Sequence, residues 1–398
     1  MVQNLASGCQ NGRIMCVDLT TGRASSQVIP AEVFTDFIGG KGLGAYLAYK
    51  GLEPHTYPLG PQNALFFLSG PLQALPGPSV GRWSLVTKSP LTGLFLDTHC
   101  GGALGREIKK TGHDALCVTG RSDKPVILVL TDEGVRLEDA GGIWGKGVFE
   151  STRLLLQEHG PGASVYVIGP AGEKQVKYAC GSCDFAHQTG RGGSGAVMGS
   201  KNLKAIVAKG SRSFEPANPE EMRAVSREVA ETWKTHETAF KELGTGFLVE
   251  VASELGQFPY RNFASGFFPD HSGLDVGLGY ALRGRGRRLS CPHCIMQCTH
   301  SYGIQDPFGS ESEVESTVEY ETLGLLGGNL AISDLEAVLR LNYICDELGL
   351  DTISAGSVIG FAMEAFERGI IDETRIGFPL QFGDSRCAER LLLLIARR

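Results

Sequence analysis

The chain has no long apolar run. Its longest, Leu391 to Ala396, falls far short of the ~18 residues a membrane-spanning helix needs. The amino terminus, Met1 to Arg13, has no basic segment followed by an apolar stretch, which excludes a secretory-signal reading. Cationic residues are in deficit: 37 Lys and Arg face 44 Asp and Glu, for a net charge of -7. A polyanion-binding surface needs clustered Lys and Arg, so nucleic acid is not an expected partner. There is no internal repeat and no low-complexity segment. A Rossmann fingerprint and a P-loop are also missing, although Gly40 to Gly44 approximates the former. The chain reads as soluble and cytoplasmic, with no membrane contact.

What is present is globular. Hydrophobic residues at 42% and charged residues at 20% supply ample core material, and 398 residues suit two to three domains. Glycine is the outlier, with 54 of the 398 residues against an average of ~7%. Such an excess without a collagen-like period implies many tight turns and close backbone approaches. Eleven cysteines without an export signal call for an explanation other than disulfides.

Up to about Lys209 the text is strand-like. The runs Ala64 to Leu68, Trp83 to Thr87, Ala115 to Thr119, Val126 to Leu130, Ser164 to Ile168 and Ala205 to Ala208 are separated by Gly and Pro. Helices are expected at Phe149 to His159 and at Thr35 to Lys50. After Phe214 the pattern turns helical. Asn218-Pro219-Glu220-Glu221 opens one helix, and Ser333 with Glu336 forms a capping-box pattern that opens another. A third is expected over Gly360 to Arg368, and Asp384 caps a fourth. The expected fold is α+β: a β-rich domain over residues 1–210, then a helical domain over 211–398. The chain stops at Arg398 inside a helical pattern without a C-terminal cap, which reads as a fragment.

Three features carry chemistry. Cys291-Pro-His-Cys294-Ile-Met-Gln-Cys298 places three thiols within eight residues, in a loop expected between helices. An iron–sulphur cluster, a zinc site completed by His293 or His300, and chance clustering all remain open on spacing alone. Glycine-rich stretches at Gly39 to Gly44, Asp97 to Gly102 and Gly190 to Asn202, together with Arg82, suit a large phosphate-bearing ligand. Taken singly, each reads equally well as a turn. Asp346 to Ser354 ends one helix at Gly349 and starts another; Asp346 and Asp351 either cap helices or accept hydrogen bonds from a heterocycle.

Taken together, these residues resemble the aldehyde ferredoxin oxidoreductase family. The resemblance runs through Asn11 to Gly22, Gly39 to Gly44, Lys88 to Gly93, Gly190 to Ile206, Cys291 to Cys298, Glu319 to Gly324 and Asp346 to Asp351, in the family's order and over nearly the whole chain. It implies an amino-terminal domain of two packed sheets. It also implies a tungsten (or molybdenum) bis-pterin beside a [4Fe–4S] cluster. By resemblance Cys291, Cys294 and Cys298 ligate the cluster, and Arg82, Gly101, Arg191 and Gly192 line the pterins. Asp346, Leu350 and Asp351 match the first of two pterin-contacting motifs, and Glu321 matches a buried glutamate that transfers protons near the metal. His99 stands where a small polar residue is expected near a magnesium that bridges the pterin phosphates. The second pterin motif, with the fourth cluster cysteine, lies beyond Arg398, so the chain alone is expected to be inactive. The implied reaction is oxidation of an aldehyde to a carboxylate, with electrons leaving through the cluster to ferredoxin. An aromatic acyl-CoA ring reductase of the same family shares these motifs; a non-redox zinc protein is the reading from a different class. Oligomerisation is compatible with each.

Overall fold

The computed structural model describes residues 9–236, 238–277 and 287–398. Residues 1–8, part of the stretch read for an export signal, lie outside it. The chain divides into two compact units, one running through Thr232 and including Cys291–Ile295, the other comprising Trp233–Ser290 and Met296–Arg398.

The first unit is built on two six-stranded sheets. Strands β1 (Arg13–Asp18), β2 (Arg23–Val28), β3 (Leu65–Leu68), β4 (Trp83–Lys88), β5 (Phe95–Cys100) and β6 (Ala115–Thr119) lie in the order β2-β1-β6-β3-β4-β5. The second sheet contains β7 (Val126–Thr131), β8 (Gly134–Asp139), β9 (Ser164–Ile168), β10 (Gly181–Cys183), β11 (His187–Gln188) and β12 (Leu203–Lys209), in the order β11-β10-β9-β12-β7-β8. Among the described residues of these sheets, only the pairs β1–β6 and β7–β12 are parallel.

Side-chain alternation explains the layering. Leu65, Phe67, Leu85 and Leu116 of the first sheet share a core with Leu128, Leu130, Tyr166 and Ile206 of the second. The rings of Phe67, Trp83 and Tyr166 meet there at centroid distances of 5.9, 5.7 and 5.4 Å. The opposite faces are covered as well. Phe66, Leu68 and Val86 pack with Val33 and Leu43 from the helices Ala31–Phe37 and Gly40–Gly51. Ile127, Val129, Val165 and Val167 pack with Val148 and Leu155 from the helix Val148–His159. Central strands buried on both faces read as unbroken apolar runs, as they do in the sequence.

The single helix expected over Thr35 to Lys50 is instead two. The break falls at Ile38 (φ 65°) and Gly39 (φ 156°), and a Cβ on Gly42 would come within 2.3 Å of the Phe37 carbonyl oxygen. The left-handed conformation of a β-branched residue there is strained and turns the chain into the first glycine loop.

The second unit is mainly helical, with a three-stranded antiparallel sheet of β13 (Arg287–Leu289), β14 (Thr299–Gln305) and β15 (Glu313–Thr317). The Cys291 to Cys298 segment therefore joins two strands rather than two helices. The helix Leu335–Leu348 is capped by Asp334, whose carboxylate accepts from Glu336 N, rather than by Ser333. Gly349 terminates it in the left-handed conformation, at φ 73°. The helix expected from Gly360 begins earlier, running Thr352–Glu367 from an Asp351 cap. Its internal glycines hid it. A Cβ on Gly356 would come within 2.3 Å of the Leu325 carbonyl oxygen, and one on Gly360 within 2.6 Å of Asn329 Nδ2. Both glycines accept a lower helix propensity for close packing. Asp384 caps Ser385–Arg397 as expected. No single helix among the described residues is long and apolar enough to cross a membrane.

Candidate functional site

In the first unit, three segments converge on Cys291. The loop before β4 brings Gly81, and the end of β5 runs into Gly101. A Cβ on Gly81 would lie 2.9 Å from Cys291 Cβ, and one on Gly101 2.6 Å from Cys291 Sγ and 2.9 Å from His187 Nδ1. The third segment is the β10–β11 hairpin, which pairs Cys183 with His187 and sets the His187 Nε2 4.0 Å from Cys291 Sγ. Cys294 lies beside Ser79, whose hydroxyl donates to its sulphur over 3.8 Å; Ser79 N donates to the His293 carbonyl at 2.9 Å. Burial pushes the Cys291 thiol above its ordinary value, while a Gly102 N–H and the Arg82 guanidinium act the other way. None of the eleven cysteines is in a disulfide.

The β5 edge also carries the second glycine stretch to the third. Cys100 Sγ donates to the His187 carbonyl at 3.1 Å, Thr98 Oγ1 donates to the Thr189 carbonyl, and Ser89 Oγ donates to the Gly192 carbonyl at 2.7 Å. Gly192 (φ +98°) has no room for a Cβ, which would come within 2.4 Å of Leu96 Cδ1. Arg82 and Arg191 are exposed. Between Arg191 and His187, Gln188 holds a buried amide nitrogen with no hydrogen-bond partner among the described residues.

These observations test the expected cofactors. Two glycines hollowed out around a free thiol fit a sulphur that ligates a bulky cluster. An orphaned amide donor next to a glycine run in left-handed conformations fits a ligand rich in acceptor oxygens. Magnesium fares differently. His99 is occupied on both ring nitrogens, by Ser84 Oγ at 3.1 Å and Asp97 Oδ2 at 3.3 Å, and offers no oxygen to a cation that takes oxygen ligands. Asp97 also pairs with Lys41 at 2.9 Å. Against the desolvation that would raise it, Lys41 and His99 hold its carboxyl below the ordinary range.

The second unit contains Cys298, Glu321, Asp346, Leu350 and Asp351. Cys298 lies against Gly244, where a Cβ would come within 2.7 Å of the Cys298 carbonyl oxygen. Glu321 is exposed, not buried as expected, and sits in the middle of the short helix Tyr320–Thr322. Glu319 is the carboxylate held in place, accepting from Thr245 Oγ1 at 2.6 Å and Thr299 Oγ1 at 3.3 Å. Leu350 is buried and its N–H donates to the Cys345 carbonyl at 2.8 Å. Asp351 receives Ile353 N at 3.0 Å. The zinc alternative has little to work with at His300, whose Nε2 lies 3.1 Å from the Lys241 carbonyl oxygen.

Asp346 is buried and receives Asn342 Nδ2 at 2.8 Å. Burial raises its carboxyl to about 8, with Asn342 opposing and Glu347 and Glu319 adding to the rise. The proton it binds stabilises the fold fully below the ordinary carboxylate range, and that contribution is lost as pH rises through about 8. Asp346→Asn, neutral throughout, is therefore expected to gain stability over the parent as pH climbs from about 5 to 8, by roughly 1–3 kcal/mol. Thermal melting of both proteins across that range checks it, and a pH-independent difference would contradict it.

His187 and Gln188 carry no signal in the sequence. Their chain neighbours carry no special spacing, and only the hairpin brings His187 to Gly101 and Cys291.

Comparison with known proteins places the fold in a family. Residues 14–210 match the family model described as aldehyde ferredoxin oxidoreductase, N-terminal domain. Residues 222–398 match the model for domains 2 and 3 of the same family. The chain is 37% identical over 396 residues to a tungsten-containing aldehyde ferredoxin oxidoreductase of Pyrococcus furiosus, covering 97% of this chain and 64% of that protein. It is 33% identical over 412 residues to the WOR-like subunit of an aliphatic sulfonate oxidoreductase from the same organism, covering 98% and 64%. Among solved structures, the active-site complex BamBC of benzoyl coenzyme A reductase, bound to 1,5-dienoyl-CoA, superposes with a TM-score of 0.85. Identity there is 28%, over 98% of this chain and 60% of that one. These matches cover both units of the fold. The chain belongs to the aldehyde ferredoxin oxidoreductase family, and it spans 64% of the length of the curated relatives it matches.

Proposed function

We propose that the protein carrying this chain is a cytoplasmic tungsten-dependent oxidoreductase that converts an aldehyde to a carboxylate and delivers the electrons to ferredoxin. The observation that carries the reading is the Cys291 site, cleared by Gly81 and Gly101, within a chain that matches both family models. In this reading residues 1–210 form the pterin-binding domain, and residues 211–398 carry the cluster cysteines and the first pterin-contact motif. When bound, the metal–pterin would supply two-electron chemistry and the [4Fe–4S] cluster one-electron transfer.

The chain's own residues hold and position. Cys291, Cys294 and Cys298 would hold the cluster. Arg82, Gly101, Arg191 and Gly192 would face pterin phosphate or ring, with the Gln188 amide as a further donor. Asp346 and Asp351 would accept ring N–H groups, and Leu350 would close the apolar side. Adding water to an aldehyde carbon and releasing a carboxylate frees protons, and Glu321 is the carboxylate assigned to take one. Glu321→Gln is expected to lower kcat by roughly 10²-fold, with iron content unchanged. Equal loss in Glu319→Gln and none in Glu321→Gln would transfer the role to Glu319.

The likeness to benzoyl coenzyme A reductase supports a second reading, an aromatic acyl-CoA ring reductase. A viologen-dye assay of the natural protein separates the two. Dye reduction with aldehydes and no turnover of aromatic acyl-CoA supports the first reading; the reverse pattern overturns it.

A further inference from the structure

On the far edge of the second sheet, away from every residue assigned above, strand β8 meets the last turn of the helix Val148–His159. Glu138 from the strand and Glu158 and His159 from the helix bring one ligand atom each to within 4.8 Å of one another. Acidic side chains alone would be unremarkable at a surface. The His159 ring is what marks the place. Its side chain is only 10% exposed, and its Nε2 is buried without a hydrogen-bond partner among the described residues. That nitrogen lies 3.5 Å from Glu138 Oε2.

We propose that Glu138, Glu158 and His159 bind a divalent transition cation of the zinc class. The separation suits this. With metal–nitrogen and metal–oxygen bonds of about 2.1 Å, two ligands of a tetrahedral centre stand about 3.4 Å apart. One cation would therefore satisfy both the Nε2, which has no hydrogen bond, and Glu138 Oε2 without moving either. Glu138 is already oriented, because its Oε1 accepts from Arg136 Nη2 at 3.2 Å. The helix end is tied down too, with the His159 carbonyl accepting from Lys209 Nζ at 3.0 Å. Glu158 is exposed and closes the set from the solvent side, leaving the fourth position to water. An imidazole in the set favours zinc-class cations over magnesium or calcium, which take oxygen ligands. Such a centre would clip edge strand β8 to the helix that covers its sheet. It is independent of the cysteine cluster and of the oxidoreductase reading.

The rival account is a protonated His159 paired with Glu138 at a helix C-terminus, which needs no metal. Zinc binding to the cluster-loaded protein distinguishes them. Wild type is expected to retain one zinc more per chain after dialysis than His159→Ala, with only nitrogen and oxygen neighbours in zinc X-ray absorption, and zinc should raise its Tm more. If His159→Ala folds poorly, Glu158→Gln provides the test, because removing an exposed ligand should weaken zinc affinity at least tenfold while leaving the fold intact. Equal zinc retention and equal Tm shifts in wild type and variants would overturn the proposal, as would sulphur neighbours around the extra zinc.

Discussion

Gly101→Ala is expected to strip most of the iron from the protein and remove its visible sulphur-to-iron absorption. The added Cβ would stand 2.6 Å from Cys291 Sγ and 2.9 Å from His187 Nδ1, closer than real Cβ contacts come. Neither side yields easily. The Gly101 carbonyl accepts from the fully buried Trp83 Nε1 at 2.7 Å, which fixes the backbone, and the β10–β11 pairing fixes His187. The thiol must therefore move, and metal–ligand distances tolerate only about ±0.2 Å. Gly142→Ala is the control, since a Cβ there has nothing within 4 Å; its iron content should match the parent. Iron analysis and the visible spectrum of both variants decide the matter. Full iron in Gly101→Ala would mean that Cys291 is not a cluster ligand.

Glu173→Ala is expected to cost about 3–5 kcal/mol of stability. Lys204 on β12 has a side chain 0% exposed and meets Glu173, 5% exposed, at 2.5 Å. The ammonium also donates to the Lys146 carbonyl at 2.8 Å, and Glu173 receives Gly145 N at 3.0 and 2.8 Å through its two oxygens. Removing the carboxylate takes the Glu173 charge away from a buried ammonium and the acceptor away from the Gly145 N–H. The double variant Glu173→Leu with Lys204→Met should recover most of the loss, because apolar replacement of a buried pair is often close to neutral. Denaturant midpoints of the single and double variants provide the comparison. A loss below about 1 kcal/mol, the range of exposed pairs, would contradict the argument.

The strands best visible in the sequence are those buried on both faces. Val126–Thr131 and Ser164–Ile168 read as apolar blocks because a helix layer and a second sheet cover them. Strand β2, Arg23–Val28, is exposed along its length and carries no such signal. The reverse holds for the helix Thr352–Glu367, where Gly356 and Gly360 look like helix breakers but are needed for contact with Leu325 and Asn329. At the site, spacing alone singled out Cys291, Cys294 and Cys298. The surroundings of Cys291 were illegible because Gly81, Gly101 and His187 lie more than a hundred residues away along the chain, and only sheet topology gathers them. Glu321 followed from its motif, yet its exposure depends on how the Tyr320–Thr322 turn is set, which the motif does not encode. Glu138 and His159 are joined only by the packing of β8 against its helix.

The most direct test of the central claim is metal analysis of the natural protein, purified without oxygen from cells supplied with tungstate. The account predicts about one tungsten and about four iron per chain, the content of one bis-pterin centre and one [4Fe–4S] cluster. Iron and tungsten both absent, with zinc on the cysteines instead, would contradict it.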